Sequence, residues 1–263
     1  MKRSSTTMAL RRYAPLGRCM YCLARGLALS EEHLIPRCLG GRLTLRDAVC
    51  APCRAATGRL EQATLEREFL VAKTLLALKR RRARAQGPAR LPVVAIDGAA
   101  AAPTTGTGGL GAAQFPRGFA LPAFEPAGLL AGVDRPHGPA QLEFIDCTLQ
   151  VGAPARIATA ARPALADPHA YAFSIAKWAY GLAVAERGLD ACASGAIRAL
   201  LVGARADPFN FVGTPRPREA ATATQLHSVA VRDDGRWLRV HLGLLGSAGM
   251  LPYEVVIGAV ATA

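Results

Sequence analysis

The sequence predicts an α+β protein in which a small cysteine-rich module is followed by a linker and a second α+β domain. Three observations support this prediction. Two Cys-x-x-Cys pairs enclose a short segment near the N-terminus, the positive charge is concentrated in the same region, and helix and strand patterns are mixed in the second half of the chain. We place the cysteine-rich module at residues 1–86, the linker at 87–135 and the second domain at 136–263.

The charge of the chain is unevenly distributed. The formal net charge is +13; residues 1–90 contain 19 Lys and Arg against 6 Asp and Glu, whereas residues 91–263 contain 13 of each kind. A bias toward arginine codons would spread the excess along the chain, but the first third carries all of it. This distribution favours a polyanionic partner, of which nucleic acid is the commonest.

Four of the seven cysteines form two pairs, Cys19 with Cys22 and Cys50 with Cys53. A two-residue gap lets both sulfurs of a pair turn toward one point, so that two pairs can surround one tetrahedral Zn²⁺. The spacing therefore predicts a structural zinc site. A dithiol redox role is the alternative, although no thioredoxin-like βαβ pattern surrounds either pair. We expect Cys38 to be a buried thiol outside the site.

The N-terminal segment MKRSSTTMALRRYAPLG lacks the apolar run of a secretory signal. The longest apolar stretch, YAFSIAKWAYGLAVA, is interrupted by Lys177 and is too short to span a bilayer. These features predict a cytoplasmic protein without a membrane partner. In a reducing compartment, cysteine pairs favour metal binding over disulfides.

After the second cysteine pair, apolar residues recur at near-helical spacing and predict one helix over residues 55–85. The last turns of this helix are strongly basic. We predict that they contact nucleic-acid phosphates through Lys79, Arg80, Arg81, Arg82 and Arg84. The alternative is a solvated helix end whose cations complement the helix dipole.

The remaining elements follow from local patterns. The linker is rich in Ala, Gly and Pro and contains one strand candidate, residues 91–97. In the second domain, residues 141–151 and 253–260 alternate like strands, and residues 228–245 form a hairpin pattern around Asp233-Asp234-Gly235. A helix is expected to begin at Pro168 after an Asp167 cap and to end before Gly188. Four single histidines are expected to be packed or surface residues: His137, His169, His227 and His241.

The order of the motifs in the first module resembles that of the HNH endonuclease family, in the subgroup whose ββα-metal core is held by a four-cysteine zinc. The resemblance covers about residues 18–65. The matching residues are Cys19, Cys22, Glu32, His33, Ile35, Pro36, Leu39, Gly40, Gly41, Cys50, Cys53 and Gly58.

The resemblance implies a hydrolase that cuts phosphodiester bonds in DNA. His33 would be the general base that activates water, because the pKa of an unperturbed histidine lies near neutrality. Glu32 would help to hold a catalytic Mg²⁺ or other divalent ion, and the zinc would be structural. Because adjacent residues of a strand point to opposite faces, Glu32 and His33 can reach one phosphate only where the strand ends in an irregular turn.

The sequence departs from the family pattern at Arg54, since the family usually has Asn or His directly after the last cysteine or a turn later. Asp47, Glu61 and Glu31 are alternative third ligands of a catalytic ion, and Arg54 can instead contact the scissile phosphate. Two functions therefore compete. One is a metal-dependent HNH-type endonuclease, and the other is a catalytically degenerate, zinc-stabilised nucleic-acid-binding protein.

Overall fold

The computed structural model describes twelve parts of the chain. They are residues 10–76, 78, 90–91, 93–95, 110–111, 118–132, 139–146, 161–163, 167–192, 195–215, 225–250 and 252–260. Both helices and sheets occur in them, so the protein is α+β, as the sequence predicts. The two predicted domain boundaries, after residues 86 and 135, lie outside the described residues, and the division into domains stays a prediction.

The first sheet contains three strands in the order β1-β3-β2. They are β1 (Arg11–Tyr13), β2 (Leu29–His33) and β3 (Leu43–Cys50). Strand β2 runs antiparallel to β3, whereas β1 runs parallel to it. Helix α1 (Ala51–Glu66) follows β3 without a loop. The antiparallel strands β2 and β3 and the helix α1 thus form a ββα unit. It contains the residues from Glu32 to Gly41 that carry the family resemblance.

The loop between β2 and β3 is tight because of Gly40 and Gly41. Gly40 has a φ of 89°, in the left-handed region that favours glycine. A Cβ atom on Gly41 would lie 2.1 Å from the carbonyl oxygen of Ile35, so only glycine fits there. The Leu-Gly-Gly motif therefore has a backbone role, which is to turn the chain from β2 back into β3.

The prediction of one helix over residues 55–85 is wrong in its start and in its continuity. Helix α1 begins at Ala51, with Pro52 in its first turn, where a missing N–H costs no hydrogen bond. It ends at Glu66, and α2 (Glu68–Leu75) follows after Arg67. The basic residues predicted to bind phosphate, Lys79, Arg80, Arg81, Arg82 and Arg84, lie outside the described residues.

Six strands precede the second half of the fold. They are β4 (Arg90–Leu91), β5 (Val93–Ala95), β6 (Leu110–Gly111), β7 (Gly118–Phe124), β8 (Pro139–Asp146) and β9 (Ala161–Pro163). They pair two by two as β4 with β6, β5 with β9 and β7 with β8. The predicted strand near residues 91–97 is confirmed in part, and the predicted linker contains further strands that its composition did not indicate.

The elements predicted from residue 168 onward are confirmed. The strand predicted over residues 141–151 is confirmed as far as Asp146, and residues 147–151 lie outside the described residues. Helix α3 (Pro168–Arg187) is capped by Asp167, whose Oδ1 accepts the backbone N–H of Ala170 at 3.0 Å. A four-stranded antiparallel sheet has the order β10-β13-β12-β11. Its strands are β10 (Val212–Gly213), β11 (His227–Asp233), β12 (Trp237–Leu244) and β13 (Tyr253–Ala259). A short helix, α4 (Ala196–Leu201), lies between α3 and β10 in the chain.

One hydrophobic core joins the first sheet to the last one, with α3 at its centre. Fifteen consecutive residues of α3, from Ala170 to Val184, are buried. The hydroxyl of Tyr180 donates to the carbonyl oxygen of Met20 at 2.9 Å, which ties α3 to the first cysteine pair. Across the core, Nε2 of His227 donates to the carbonyl oxygen of Leu39 at 2.8 Å. Among the described helices, none is long and apolar enough to cross a membrane.

Candidate metal centre and catalytic face

The two cysteine pairs meet at the junction of β3 and α1. Cys19 and Cys22 lie in a turn closed by the N–H of Leu23, which donates to the carbonyl oxygen of Cys19 at 2.8 Å. Cys50 ends β3, and Cys53 lies in the first turn of α1. The four Sγ atoms lie within 4.8 Å of one another. The fold therefore converts the predicted spacing into one cluster.

The geometry of the cluster fits a metal ion such as zinc. Sulfurs in a tetrahedral site with Zn–S bonds of about 2.3 Å lie about 3.8 Å apart. Sγ of Cys22 lies 3.7 Å from Sγ of Cys50, much farther than the roughly 2.05 Å of a disulfide. Cys38 is free and half-buried and does not belong to this cluster.

The backbone around the cluster favours a thiolate at Cys19. Burial alone would raise the pKa of this thiol, but hydrogen bonds from the backbone at Cys50, Cys22 and Tyr21 outweigh burial and lower the pKa to about 7. A thiolate is the form that binds zinc. Burial raises the pKa of Cys22, so the cluster without an ion keeps protons that a bound cation would displace.

His33 lies on the face of the first sheet that points away from α1, which we call the outer face and define by Arg12, Glu31, His33 and Thr44. Its Nδ1 lies 3.3 Å from Oγ1 of Thr44, which is its register partner on β3. Its Nε2 lies 3.7 Å from Oε1 of Glu31, and the side chain is 28% exposed. Arg12 donates to the other oxygen of Glu31 at 3.1 Å. The imidazole is thus oriented by two neighbours and still reachable from solvent.

Glu32 points to the other side of the sheet, into the core. Its Oε1 lies 2.8 Å from Nζ of Lys177 on α3, and the side chains of both residues are nearly buried. Nζ of Lys177 also lies 2.7 Å from Oε2 of Glu61 on α1. Two further hydrogen bonds reach these carboxylates. Nε1–H of Trp178 donates to Glu61 at 2.5 Å, and the hydroxyl of Tyr21 donates to Glu32 at 3.4 Å.

Charge attraction holds this buried cluster together. Burial would lower the pKa of Lys177, but Glu32 and Glu61 together raise it, so the ammonium stays charged. Burial raises the pKa of Glu32, and the attraction of Lys177 opposes that rise. Two carboxylates around one ammonium leave the cluster with an excess negative charge, which a buried site tolerates poorly. Lys177 is therefore the cation that the acid pair requires.

The structure brings some of the predicted site residues together and separates others. Glu32 and His33 lie on opposite faces, as strand alternation requires. Of the alternative ligands, Glu31 adjoins His33, Glu61 adjoins Glu32, and Asp47 is exposed at an irregular point of β3 with a φ of 44°. Because Lys177 occupies the acid pair, Glu32 does not offer a divalent ion a place in this arrangement.

Sequence reasoning missed Lys177, Trp178 and Thr44. A signal for Lys177 was present, since a lysine in the middle of an apolar helix needs an anionic partner when it is buried. Arg54 is exposed in the first turn of α1. Three of the four single histidines are packed or surface residues, as predicted: His227 is buried, His241 Nε2 lies 3.0 Å from Glu254, and His169 packs on Phe209. The fourth, His137, lies outside the described residues.

The described residues thus contain three chemical features close together. They are a four-cysteine cluster, an oriented histidine on the outer face and a buried acid pair held by a lysine. The first lies at the junction of β3 and α1, and the other two lie on opposite sides of the sheet. When the chain is compared with known proteins, no family model, curated protein or solved structure matches it.

Proposed function

We propose that this protein binds nucleic acid through a zinc-stabilised ββα module and hydrolyses phosphodiester bonds with His33 as the general base. The observation that carries the proposal is the position of His33 at the end of β2, oriented by Thr44 and still partly exposed. The four-cysteine cluster supports it, because a metal ion bound there would fix the strand, helix and turn that hold this histidine. The resemblance of the motif order to HNH endonucleases, which rests on the same cysteines and histidine, agrees with it.

The chemistry of the proposal uses the neighbours of the imidazole. If Nδ1–H donates to Oγ1 of Thr44, Nε2 is the deprotonated nitrogen of the ring and the one that can take a proton from water. Glu31, 3.7 Å from Nε2, would then stabilise the imidazolium that forms. As its proton moves to Nε2 of His33, the water oxygen forms a bond to the phosphorus. The bond from phosphorus to the leaving sugar oxygen breaks, and that oxygen takes a proton from solvent. In the family that the motif resembles, a divalent ion stabilises the charge on the phosphate. Here Lys177 holds Glu32, so the residue that the resemblance assigns to that ion is not open to it.

A second candidate function is nucleic-acid binding without cleavage. Two observations favour it: Glu32 is engaged by Lys177 at 2.8 Å, and an exposed Arg54 stands where the family usually has a ligand. An arginine cannot ligate a cation and repels one. In this candidate the zinc and the fold are retained, and the outer face only holds the nucleic acid.

The test is nicking of supercoiled plasmid DNA by the purified protein with Mg²⁺ or Mn²⁺ and without added ion. Cleavage that disappears in His33→Ala would support the nuclease; a general base contributes roughly 10²- to 10⁴-fold. Arg54→Asn is the informative partner variant. Cleavage gained by Arg54→Asn in an otherwise inactive protein would favour the degenerate candidate, and DNA binding without any cleavage would favour it as well.

A further inference from the structure

We infer that the outer face of the first sheet is the phosphate-binding surface of this protein, with Arg42 and Arg46 as its principal contacts. The inference rests on the proposed nucleic-acid function and assigns residues to it. It differs from the sequence prediction, which assigned phosphate contact to the basic residues after α2. The occupant is the sugar-phosphate backbone of nucleic acid, in the form of a DNA duplex.

Strand geometry places both arginines beside His33. Thr44 contacts the ring of His33, so its side chain lies on the outer face, and residues two positions away on a strand share that face. Arg46 is one of these residues. Arg42 directly precedes β3 and continues its pairing with β1, because its carbonyl oxygen accepts the N–H of Arg11 at 3.2 Å; both arginines are exposed. The register of β3 against β2 becomes irregular after Leu45, over residues 46–48, and Asp47 has a φ of 44° there; Arg46 is exposed next to the buried Leu45. The buried Leu43 and Leu45, between them, point to the core.

The charges on this face complement a polyanion. Arg12, Arg42 and Arg46 face one acid, Glu31, whose charge is matched by Arg12 at 3.1 Å. Within the described part of the chain, Arg42 and Arg46 form no ion pair, so their guanidinium groups are available for phosphate oxygens. The net charge of the outer face is positive even if the exposed Asp47 is counted with it. A phosphate held between the two arginines would lie next to Thr44 and His33.

The opposite side of the sheet provides a matched control. Helix α1 lies on the inner side, because its Glu61 shares Lys177 with the inward-pointing Glu32. Arg59, on α1, and Arg67, directly after it, are exposed. They have the same charge and residue type as Arg42 and Arg46 but lie across the sheet from His33. Loss of two arginines from either place lowers the total charge equally, so only position distinguishes the two pairs.

The experiment measures binding of a short labelled DNA duplex by fluorescence anisotropy over a series of salt concentrations, without added divalent ion. We expect Arg42→Ala/Arg46→Ala to weaken binding and to reduce the slope of log affinity against log salt by about two, since each phosphate contact contributes about 0.9. Arg59→Ala/Arg67→Ala should change both quantities much less. Glu31→Gln should tighten binding. The melting temperature of each variant checks that it is folded.

Each outcome decides between the inference and the function on which it rests. Equal weakening by the two arginine pairs would overturn the inference, because total charge and not the outer face would then govern binding. Unchanged binding by Arg42→Ala/Arg46→Ala would overturn it too, while leaving nucleic-acid binding intact. If the wild-type protein binds no duplex, the proposed function itself fails. Tighter binding of a matched RNA duplex, lost in the same variant, would overturn the assignment to DNA and retain the surface.

Discussion

Nζ of Lys177 lies 2.8 Å from a carboxylate oxygen of Glu32, so that α3 supplies the counter-charge to the acid that precedes the candidate base. The same ammonium lies 2.7 Å from Glu61 on α1. One lysine therefore links the first sheet, the helix after it and the central helix of the core. This contact determines what Glu32 can do, since a carboxylate held by an ammonium is not an open metal ligand.

Lys177→Met should destabilise the protein by about 3–5 kcal/mol, because it leaves the buried carboxylate of Glu32 and the half-buried one of Glu61 without their cation. Urea unfolding followed by tryptophan fluorescence measures this loss, and Trp178 reports on the site directly through its bond to Glu61. Adding Glu32→Gln to Lys177→Met should recover part of the stability. We also expect Mn²⁺ to stabilise Lys177→Met more than the wild type. Equal stability of Lys177→Met and wild type would contradict this account of the cluster.

Removal of the metal from the cysteine cluster should unfold the first module. The purified protein is expected to contain about one zinc per chain, as four thiolates around one tetrahedral ion require. Structural zinc in small modules contributes on the order of 10–16 kcal/mol of apparent binding free energy, so a strong chelator should remove much of the ordered structure. Elemental analysis and circular dichroism check both points. Cys38→Ser is the control and should keep its zinc; a folded protein without metal would refute the prediction.

Thr44→Val tests whether Thr44 orients His33. The substitution keeps the shape of the side chain and removes the oxygen 3.3 Å from Nδ1 of His33. If the protein cleaves DNA, we expect a lower rate in Thr44→Val and no further loss when the change is made in His33→Ala. Plasmid-nicking rates of the two single variants and the double variant form the required cycle. Losses that multiply in the double variant would mean that Thr44 acts independently of His33.

Stability should fall as the pH decreases below about 6.5, in part because of His227. Burial lowers the pKa of His227, and its bond to Leu39 opposes this effect only partly. The unfolded chain, with a histidine pKa near 6.5, then binds more protons than the folded one, so acid favours unfolding. Protonation of the ring would also place a hydrogen on Nδ1. That hydrogen would face the N–H of Leu245, which donates to Nδ1 at 3.4 Å when the ring is neutral.

Urea midpoints measured at neutral pH and at about pH 5 give this dependence. In His227→Gln the difference between the two midpoints should be smaller than in the wild type. Several other groups lie near the ring, among them Arg11, Tyr13, Glu186 and Arg187, which line the same cavity. For this reason the comparison is made between His227→Gln and wild type at each pH. An identical pH dependence in the two proteins would exclude His227 as a contributor.

The elements with local signals could be predicted from the sequence. The hairpin of β11 and β12 turns at Asp233-Asp234-Gly235, and α3 begins at its Asp167 cap, because both depend on neighbouring residues. The break between α1 and α2 could not be predicted, since it contains neither Gly nor Pro. There the N–H of Asp167, distant in sequence, donates to Oε1 of Glu68 at 2.9 Å and fixes the start of α2.

The residues of the candidate site also fall into those that could be predicted from the sequence and those that could not. The four cysteines were predictable because a Cys-x-x-Cys gap alone directs two sulfurs to one point. The separation of Glu32 from His33 was predictable from strand alternation. The partner of Glu32 was not, because it comes from a helix whose packing on the first sheet depends on the entire core. In the sequence, Lys177 indicated only that an acidic side chain must lie near it in the folded protein.

The burial of α3 has a consequence for protein engineering. A fragment that ends after α2 would keep all four cysteines, yet it would lose Lys177 and the hydroxyl of Tyr180 that donates to Met20. It would also expose the buried Phe69, which stacks on Tyr171 in the full chain. Such a fragment should aggregate when it is expressed alone or grafted onto another protein. The ββα unit is therefore not expected to fold when it is separated from the rest of the chain. A fusion protein that uses it must include the chain at least through β13.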